Sequence, residues 1–334
     1  MSAPSKATKY VRPNRRFGTD ARVAFLYLIP AFAVMAIITF YPLLYQVWMS
    51  FTDFHSQNLA QGSAAPPWVW FGNYIKILTN DIAGIPNYDF FRILAFNLFW
   101  AFSNVVIHVI LGAAIAMLLN QKALRGRSIY RAIFVLPVVI PPIIVATVWR
   151  NMFDTHNGAF NFLIAAITRQ PPDAVNIAWL TDPGNPIAFF PLLPLSYFAL
   201  LAANVWLGWP LNAVVATGAL QSIPPDLYEA VEIDGGGAWA KFRVVTLPFL
   251  RPAMLPYAIY GFVITFNLFY LSYFLSAGGP FGRTELLVTQ AYRLVQEQRL
   301  FGVAAAFSVI MFLILLTLTI ITNKLTKATA SYVD

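Results

Sequence analysis

Long apolar runs separated by short polar segments make up most of this chain. Six of the runs reach the length of about 20 mostly apolar residues that a bilayer-spanning helix needs. They lie at roughly 23–50, 92–119, 130–153, 190–219, 249–275 and 302–322. The pattern therefore predicts an all-α integral membrane protein with six transmembrane helices. The first run is too long for a signal peptide and lacks a small-residue cleavage site, so we expect it to be a retained span.

The distribution of positive charge predicts the orientation of these spans. Cytoplasmic segments next to membrane helices carry an excess of Lys and Arg. Placing the N-terminus inside puts most of the 22 Lys and Arg residues on the cytoplasmic side, in both tails and in the loops after spans two and four. We therefore expect a transmembrane domain at 23–323 between cytoplasmic tails at 1–22 and 324–334. The outer loops are then 51–91, 154–189 and 276–301.

The composition supports a bilayer protein and narrows its chemistry. The 334 residues are 59% hydrophobic and 11% charged, whereas soluble domains carry about 25% charged residues. The net charge of +8 lies at the ends of apolar runs, not in a basic stripe with interleaved aromatics, so nucleic acid is not an expected partner. The lack of cysteine excludes disulfides and thiol catalysis, and no histidine spacing predicts a metal site.

Proline clusters in three consecutive spans. An interior proline removes a helical hydrogen bond and bends the helix, and a bend that faced lipid would leave backbone groups unsatisfied. Proline is also common in membrane helices generally. The clustering favours a central pathway built from spans three to five, and the residues concerned are Pro137, Pro141, Pro142, Pro191, Pro194, Pro210, Pro248, Pro252 and Pro256.

The segment YEAVEIDGGGAWAKFRVVTLP is more polar than the two apolar runs on either side of it, and it lies in the predicted cytoplasmic loop 221–248. A phosphate-binding loop needs G-x-x-x-x-G-K-[ST], but here the glycines are contiguous and Lys241 precedes Phe242. The pattern instead predicts two short helices joined at the glycines, with Trp239, Phe242 and Val245 along one apolar edge. Such a unit can insert into the groove of a partner protein or lie flat on the bilayer.

This segment resembles the signature loop of ABC importer permeases. That loop reads Glu-Ala-Ala, three residues, Gly, nine residues, Ile, one residue, Leu-Pro; here it reads Glu229-Ala230-Val231, then Gly235, then Val245-Thr246-Leu247-Pro248 at the same spacing. The segments YRAIFVLPVVIPPIIVATVWRNMF, NVWLGWP, SAGGPFGRTELLVTQAYR and FGVAAAFSVIMFLI resemble the first permease subunit of maltose-type sugar importers. The extra N-terminal spans and large outer domain of the maltose importer are missing, so the smaller six-span form fits better.

The resemblance implies a type I ABC importer permease fold with a cytoplasmic coupling helix. Glu229 would pair with a basic residue of an ATPase subunit, Ala230 would pack closely, and Gly235 would let the backbone turn. Asp234, Leu247 and Pro248 complete the predicted coupling set. The implied partners are a second homologous permease, an ATPase dimer that binds ATP and Mg, and an extracytoplasmic sugar-binding protein. This chain would be non-catalytic, hold no cofactor, and lie in a bacterial or archaeal cytoplasmic membrane.

The resemblance also places a solute pathway on spans three to five. Its maltose-type positions are Val138, Pro142, Leu207, Gly208, Leu211, Gly261, Thr265 and Leu268. Most of these have lost the polar group that a sugar hydroxyl needs, so maltose itself is not predicted. Replacement polar or aromatic groups are Asn204, Trp206, Tyr260, Asn267, Tyr270 and Ser272. These groups can equally serve interhelical packing, or the partner permease can hold the solute.

The predicted function is therefore inward transport of a sugar, with a di- or oligosaccharide expected. A glycerol-phosphate or polyol importer of the same class is the alternative, although a phosphorylated solute would favour Arg or Lys at a span centre and none is there. An ion-coupled secondary transporter would want carboxylates well inside the spans, and a membrane enzyme would need a convergent cluster of Asp, Glu and His; we find neither. His108, inside span two, is interpreted as a neutral interhelical hydrogen-bonding group.

Overall fold

All regular structure in the described part of the chain is helical. The computed structural model describes residues 17–82, 85, 88–121, 123–184 and 193–326, with only the backbone for 17–21. Within these residues no strand forms, and one isolated antiparallel bridge joins Thr52 and Trp68. The helices are α1 (Phe17–Met35), α2 (Tyr41–Ser50), α3 (Gly72–Leu78), α4 (Phe90–Leu119), α5 (Arg127–Val139), α6 (Pro142–Met152), α7 (Ala159–Thr168), α8 (Leu195–Gln221), α9 (Pro225–Ile233), α10 (Ala238–Lys241), α11 (Leu247–Phe266), α12 (Phe269–Leu271), α13 (Leu287–Gln296) and α14 (Phe301–Thr326).

Short π-helical or 3₁₀ turns lie between some of these helices. The π-helical turns Ala36–Phe40 and Phe242–Thr246 join α1 to α2 and α10 to α11, and a third, Ser272–Ser276, follows α12. Tighter 3₁₀ turns cover Ser56–Leu59 and Pro172–Ala174. Most of the predicted tails, together with Pro191, lies outside the described residues.

Five helical stretches of the described chain are long and apolar enough to cross a membrane. They are Arg22–Ser50, Phe90–Leu119, Leu195–Gln221, Ala238–Phe266 and Phe301–Thr326. The predicted spans at 23–50, 92–119 and 302–322 agree closely with three of them. The predicted span at 190–219 corresponds to Leu195–Gln221, and its first residues lie outside the described chain.

The third predicted span, 130–153, is not one helix. It consists of α5 and α6, which meet at an angle of 94°. Ile140, which precedes a proline, is extended at φ −79° and ψ 127°, as the clash with the following ring requires. Pro142 then starts α6, where its missing N–H costs nothing. The pair is either one broken span or a re-entrant segment, so the number of spans is five or six.

The fifth predicted span, 249–275, is also displaced. The continuous helical stretch begins at Ala238 and ends at Phe266, and the chain leaves helical geometry at Leu268, where ψ is 80°. The carbonyl oxygen of Phe266 accepts a hydrogen bond of 3.1 Å from Asn97 Nδ2. This side chain replaces a bond that the broken helix cannot make. No proline causes this break.

The other described prolines do not interrupt their helices. Pro137, Pro210, Pro252 and Pro256 lie inside continuous helices, and Pro194 is the N-cap of α8. Pro248 lies in the first turn of α11. Of the prolines in the three predicted spans that the structure describes, only Pro141 and Pro142 coincide with a helix break. Within these spans only this pair is adjacent, so each ring disfavours helical geometry for the residue before it.

The core is built around α4 and α8. Their close approach depends on glycine, because a Cβ at Gly112 would collide with Asn212 and one at Gly208 would collide with the ring of His108. Small residues at such contacts let membrane helices approach closely. Buried side chains form three clusters: one joins α4 to α13 and α14, one joins α4, α6 and α8, and one joins the C-terminal ends of α4 and α8 to the first part of α11.

The first membrane helix stands apart from this core. None of the residues in the most apolar window of Arg22–Ser50 is buried. Its second half, α2, packs against α14, and Ser50 at its end is fully buried, with its hydroxyl 2.7 Å from the Tyr74 hydroxyl. This stretch is therefore attached to the rest of the chain mainly near residue 50.

Candidate functional site

The segment between α8 and α11 folds as two helices with a glycine joint, as its sequence predicts. Pro225 opens α9, and Asp226 lies in its first turn, where a carboxylate favours the positive end of the helix. Gly235 has φ +77°, a left-handed conformation that favours glycine. The chain then enters α10, which continues through the π-helical turn into α11.

Polar contacts fix the two helices to each other. Lys241 Nζ lies 2.6 Å from Glu232 Oε2 across the joint. The hydrogen bond from Lys241 and its positive charge lower the pKa of Glu232. The hydroxyl of Tyr228 lies 3.1 Å from Thr246 Oγ1, and Gly236 N donates to the Val231 carbonyl at 2.8 Å.

Apolar packing joins this unit to the membrane helices. Tyr228 and Val231 of α9 pack on the cluster of buried residues that joins the C-terminal ends of α4 and α8 to the first part of α11. That cluster includes Val245 from the π-helical turn and Leu250 and Met254 from α11. We call residues 225–246 the inner unit, after the side of the membrane that the sequence predicts for it. The packing attaches this unit to the base of α11.

The outward face of the inner unit is apolar and acidic. All six predicted coupling residues, Glu229, Ala230, Asp234, Gly235, Leu247 and Pro248, are exposed. Ile233 and Trp239 are 86% and 72% exposed. Only part of the predicted apolar edge is exposed. Val245 is buried. Trp239, whose ring stacks on that of Phe242 with centroids 5.4 Å apart, is exposed. Within the described residues the side chain of Glu229 makes no hydrogen bond and no ion pair.

The predicted pathway residues fall into three groups by exposure. Val138, Pro142, Leu211, Tyr260 and Asn267 are exposed, as is Tyr270. Trp206, Leu207, Gly208, Gly261 and Leu268 are partly buried, and Asn204, Thr265 and Ser272 are buried.

Two of the buried polar members, Asn204 and Ser272, have hydrogen-bond partners inside the chain. Asn204 Nδ2 donates to Asn104 Oδ1 at 2.7 Å, and the Asn204 carbonyl accepts from His108 Nε2 at 3.0 Å. The interpretation of His108 as an interhelical hydrogen-bonding group is confirmed by this contact. Ser272 Oγ donates to the Thr284 carbonyl at 3.3 Å. For Asn204 and Ser272, the packing alternative therefore accounts for their polar groups.

The segments that follow the two helix breaks pack against each other. Helix α6 packs against α12 and the turn Ser272–Ser276, and Leu268 joins the same apolar cluster as Ala146 and Trp149. Trp149 and Trp206 have ring centroids 6.2 Å apart. The exposed polar and aromatic side chains nearest in sequence to the fifth-span break are Tyr260, Asn267 and Tyr270. Broken membrane helices are the usual place for a solute site in transporters.

Two polar clusters were missed by the sequence reasoning. Asn97 and Asn104 lie at i and i+7 with His108 at i+11, one face of an otherwise apolar helix, and that spacing was the available signal. Asn97 Oδ1 accepts from the Leu287 N–H at 2.8 Å, so this one residue joins the fifth-span break to the start of α13.

The second missed cluster lies in the predicted outer loop 276–301. Glu285 is 5% exposed and its Oε1 lies 3.2 Å from Arg293 Nε. Burial raises the pKa of Glu285, although Arg293 acts in the opposite direction. Arg293 also bonds Glu297 and the Ala277 carbonyl. Nothing in the local sequence distinguishes this pair from solvated loop charges. Neither here nor in the rest of the described chain does a group of three or more His, Asp or Glu form that could hold a metal ion.

Comparisons with known proteins agree with this architecture. The family described as binding-protein-dependent transport system inner membrane component matches residues 108–330. The galactooligosaccharides transport system permease protein of Bacillus subtilis is 30% identical over 90% of this chain and 69% of its own. The trehalose/maltose transport system permease protein of Thermococcus litoralis is 29% identical over 91% of this chain and 94% of its own.

A solved structure gives the same fold. The crystal structure of a bacterial ABC transporter involved in the import of the acidic polysaccharide alginate has a chain that aligns with a TM-score of 0.69 over 93% of this chain and 97% of that one. At 18% identity this likeness concerns the fold alone. From the family match and the relatives together, the chain belongs to the binding-protein-dependent transport system inner membrane components, the permease subunits of ABC importers.

Proposed function

We propose that this chain is the membrane subunit of an ATP-driven, binding-protein-dependent importer of a neutral sugar, with a di- or oligosaccharide as the expected solute. The relatives are transmembrane permease components rather than catalytic subunits. ATP and Mg would therefore be bound by a separate ATPase dimer. A second homologous permease and an extracytoplasmic sugar-binding protein complete the proposed complex.

The observation that carries the proposal is the inner unit. Its outward face presents Ile233 and Trp239 without cover and Glu229 without an internal partner among the described residues. An exposed apolar face next to an unpaired acid suits insertion into a groove with a basic rim. We infer that α9 is the coupling helix, with Glu229 as its charged contact and Gly235 as its joint.

The fold supplies a mechanical route from this helix to the solute. From Ala238 to Phe266 the chain is one helical stretch of 29 residues, about 43 Å long at 1.5 Å per residue. A displacement of the inner unit would move this rod as a body, because the unit is packed on its base. The far end of the rod is the fifth-span break, next to the break between α5 and α6. Rocking of the rod would thus open or close the region of Tyr260, Asn267 and Leu268.

The solute class rests on the relatives and on the exposed side chains. The names of the relatives specify galactooligosaccharides and trehalose/maltose. The aromatic rings of Tyr260 and Tyr270 can stack on a pyranose face, and the amide of Asn267 can bond hydroxyl groups. Val138, Pro142, Trp206, Leu207, Leu211 and Gly261 would form the apolar remainder of the path, whereas Gly208 packs against the His108 ring.

The proposed topology has six spans with both termini in the cytoplasm. The α5–α6 pair would count as the third span, and the transmembrane domain would cover 23–323. This arrangement places the inner unit on the side of the ATPase, as the coupling role requires.

The test compares two acids on one helix in the reconstituted importer. Glu229→Gln should lower solute uptake about tenfold, because it removes a charge-assisted contact with the ATPase. Asp226→Asn, one turn away and equally exposed, should change uptake by no more than about twofold. Membrane insertion should be unchanged for both variants. Equal uptake by Glu229→Gln and the native chain would contradict the coupling role of this residue.

A further inference from the structure

A cavity lies beside the second half of α8, away from the helix breaks. It has a volume of about 320 Å³ and opens where α4 and α8 end and α5 begins. Arg131, Thr217 and Gln221 line the end near the helix termini. Phe134, Trp209 and Val214 line the deeper end.

The cavity extends along the axis of α8. Gln221 is the last residue of α8 and Trp209 lies twelve positions earlier, which is about 18 Å along the helix. The cavity therefore runs from the level at which the apolar helices end into the apolar layer. Its polar side chains are at the boundary and its apolar side chains are inside.

The boundary end carries positive charge that no ion pair within the described part of the chain neutralises. Arg125, Arg127 and Arg131 lie within seven residues, and the sequence has no Asp or Glu between residues 90 and 153. None of the ion pairs among the described residues involves these arginines. The first turn of α5 has no side-chain cap and no acid, so its free N–H groups add to the positive potential.

Arg131 is the member of this group that faces the cavity. Its Nε is buried and has no hydrogen-bond partner within the described residues, and its Nη2 reaches only the Leu119 carbonyl, at 3.5 Å. A partly buried guanidinium with an unused donor costs free energy unless an anion accepts from it.

We propose that this cavity binds an anionic phospholipid, with its phosphate against Arg131 and one acyl chain along Phe134, Trp209 and Val214. A basic pocket between membrane helices at the boundary suits such a headgroup, and Arg suits phosphate because it offers two parallel donors. A soluble phosphate ester would use only the boundary end and leave the apolar end empty. Phe134 and Val214 lie one turn from Val138 and Leu211, which the proposed function assigns to the path, so the inference rests on the proposed function for the side of the membrane, and its test measures lipid binding and not uptake.

The experiment is native mass spectrometry of the purified importer complex, titrated with phosphatidylglycerol or phosphatidylcholine of identical acyl chains. The native complex should hold phosphatidylglycerol at least about tenfold more tightly, as charge-assisted hydrogen bonds predict. Arg131→Gln should remove that preference. Arg243→Gln, an exposed arginine of the inner unit that does not line the cavity, should keep it.

Two further arms distinguish a bound lipid from a bound soluble anion. Val214→Trp fills the apolar end without touching Arg131, and it should weaken phosphatidylglycerol binding about tenfold even if Arg131→Gln fails to fold. Inorganic phosphate and glycerol 3-phosphate should not displace the lipid. Displacement by either anion, equal binding of the two lipids, or an equal loss in Arg243→Gln would overturn the proposal.

Discussion

At the scale of single residues, a ring, two amides and a glycine determine how α4 meets α8. His108 donates to the Asn204 carbonyl, and Asn204 donates to Asn104. Gly208 lies directly against the His108 ring. In an apolar layer these polar groups have no water to bond, so each requires the others. The set fixes one register of the two helices and excludes a slip by one turn.

Gly208→Ala should therefore destabilise the subunit by about 1–3 kcal/mol, because the added methyl group overlaps the His108 ring. The measurement is thermal unfolding in detergent. Gly218→Ala on the same helix is the matched control, since a Cβ there meets nothing within 4 Å. The control should be neutral or stabilising by about 0.5–1 kcal/mol. Equal destabilisation of both variants would exclude the ring contact as the cause.

At the scale of elements, the inner unit depends on one left-handed glycine. Gly235→Ala should cost about 1–2 kcal/mol locally, since its φ of +77° disfavours any side chain although nothing lies within 4 Å. The change would alter the angle between α9 and α10. We therefore expect the solute-stimulated ATPase activity of the importer to fall, while the subunits still assemble into the complex.

Gly237→Ala is the matched control for Gly235→Ala. Gly237 also has nothing within 4 Å of an added Cβ, but its φ of −79° suits any residue. Its coupled ATPase activity should match that of the native protein. If both alanine variants lose coupling alike, the conformation of Gly235 is not what matters.

The sequence predicted whole helices better than it predicted their breaks. Spans with uniform apolar pattern, such as Phe90–Leu119, were located within a few residues because hydropathy is a local property. The bend at Pro141 and Pro142 was expected as a kink, but the local sequence does not specify its size of 94°, and α6 beyond it packs against α12, which lies far along the chain. The break after Phe266 has no local signal, since it is stabilised by Asn97, which lies 169 residues earlier.

At the scale of the whole molecule, one part of the candidate site could be predicted from the sequence and the other could not. The coupling motif was recognisable because its spacing is local, and its two-helix geometry followed from the prolines and glycines around it. The pathway residues were carried over position by position, and the fold buries Asn204 and Ser272 with internal partners. Side-chain direction relative to a pathway depends on the surrounding helices, which one span's sequence does not specify.

The proposed orientation of the molecule can be tested directly, because the chain has no cysteine. Single variants Ala65→Cys and Asp226→Cys place a thiol at exposed positions in a predicted outer loop and in the inner unit. A membrane-impermeant maleimide added to intact cells should label the first variant only, and permeabilised cells should show label on both. Labelling of Asp226→Cys in intact cells would reverse the assigned orientation.

The stretch Arg22–Ser50 is secured mainly where α2 packs against α14. A rod clamped near one end takes its tilt from the medium, so bilayer thickness, not the protein interior, sets where its free half points. In a thin detergent shell the N-terminal half of this stretch would change its tilt, while α4 and α8 would keep their register. The choice of detergent would then affect the overall shape of the isolated subunit far more than its free energy of unfolding.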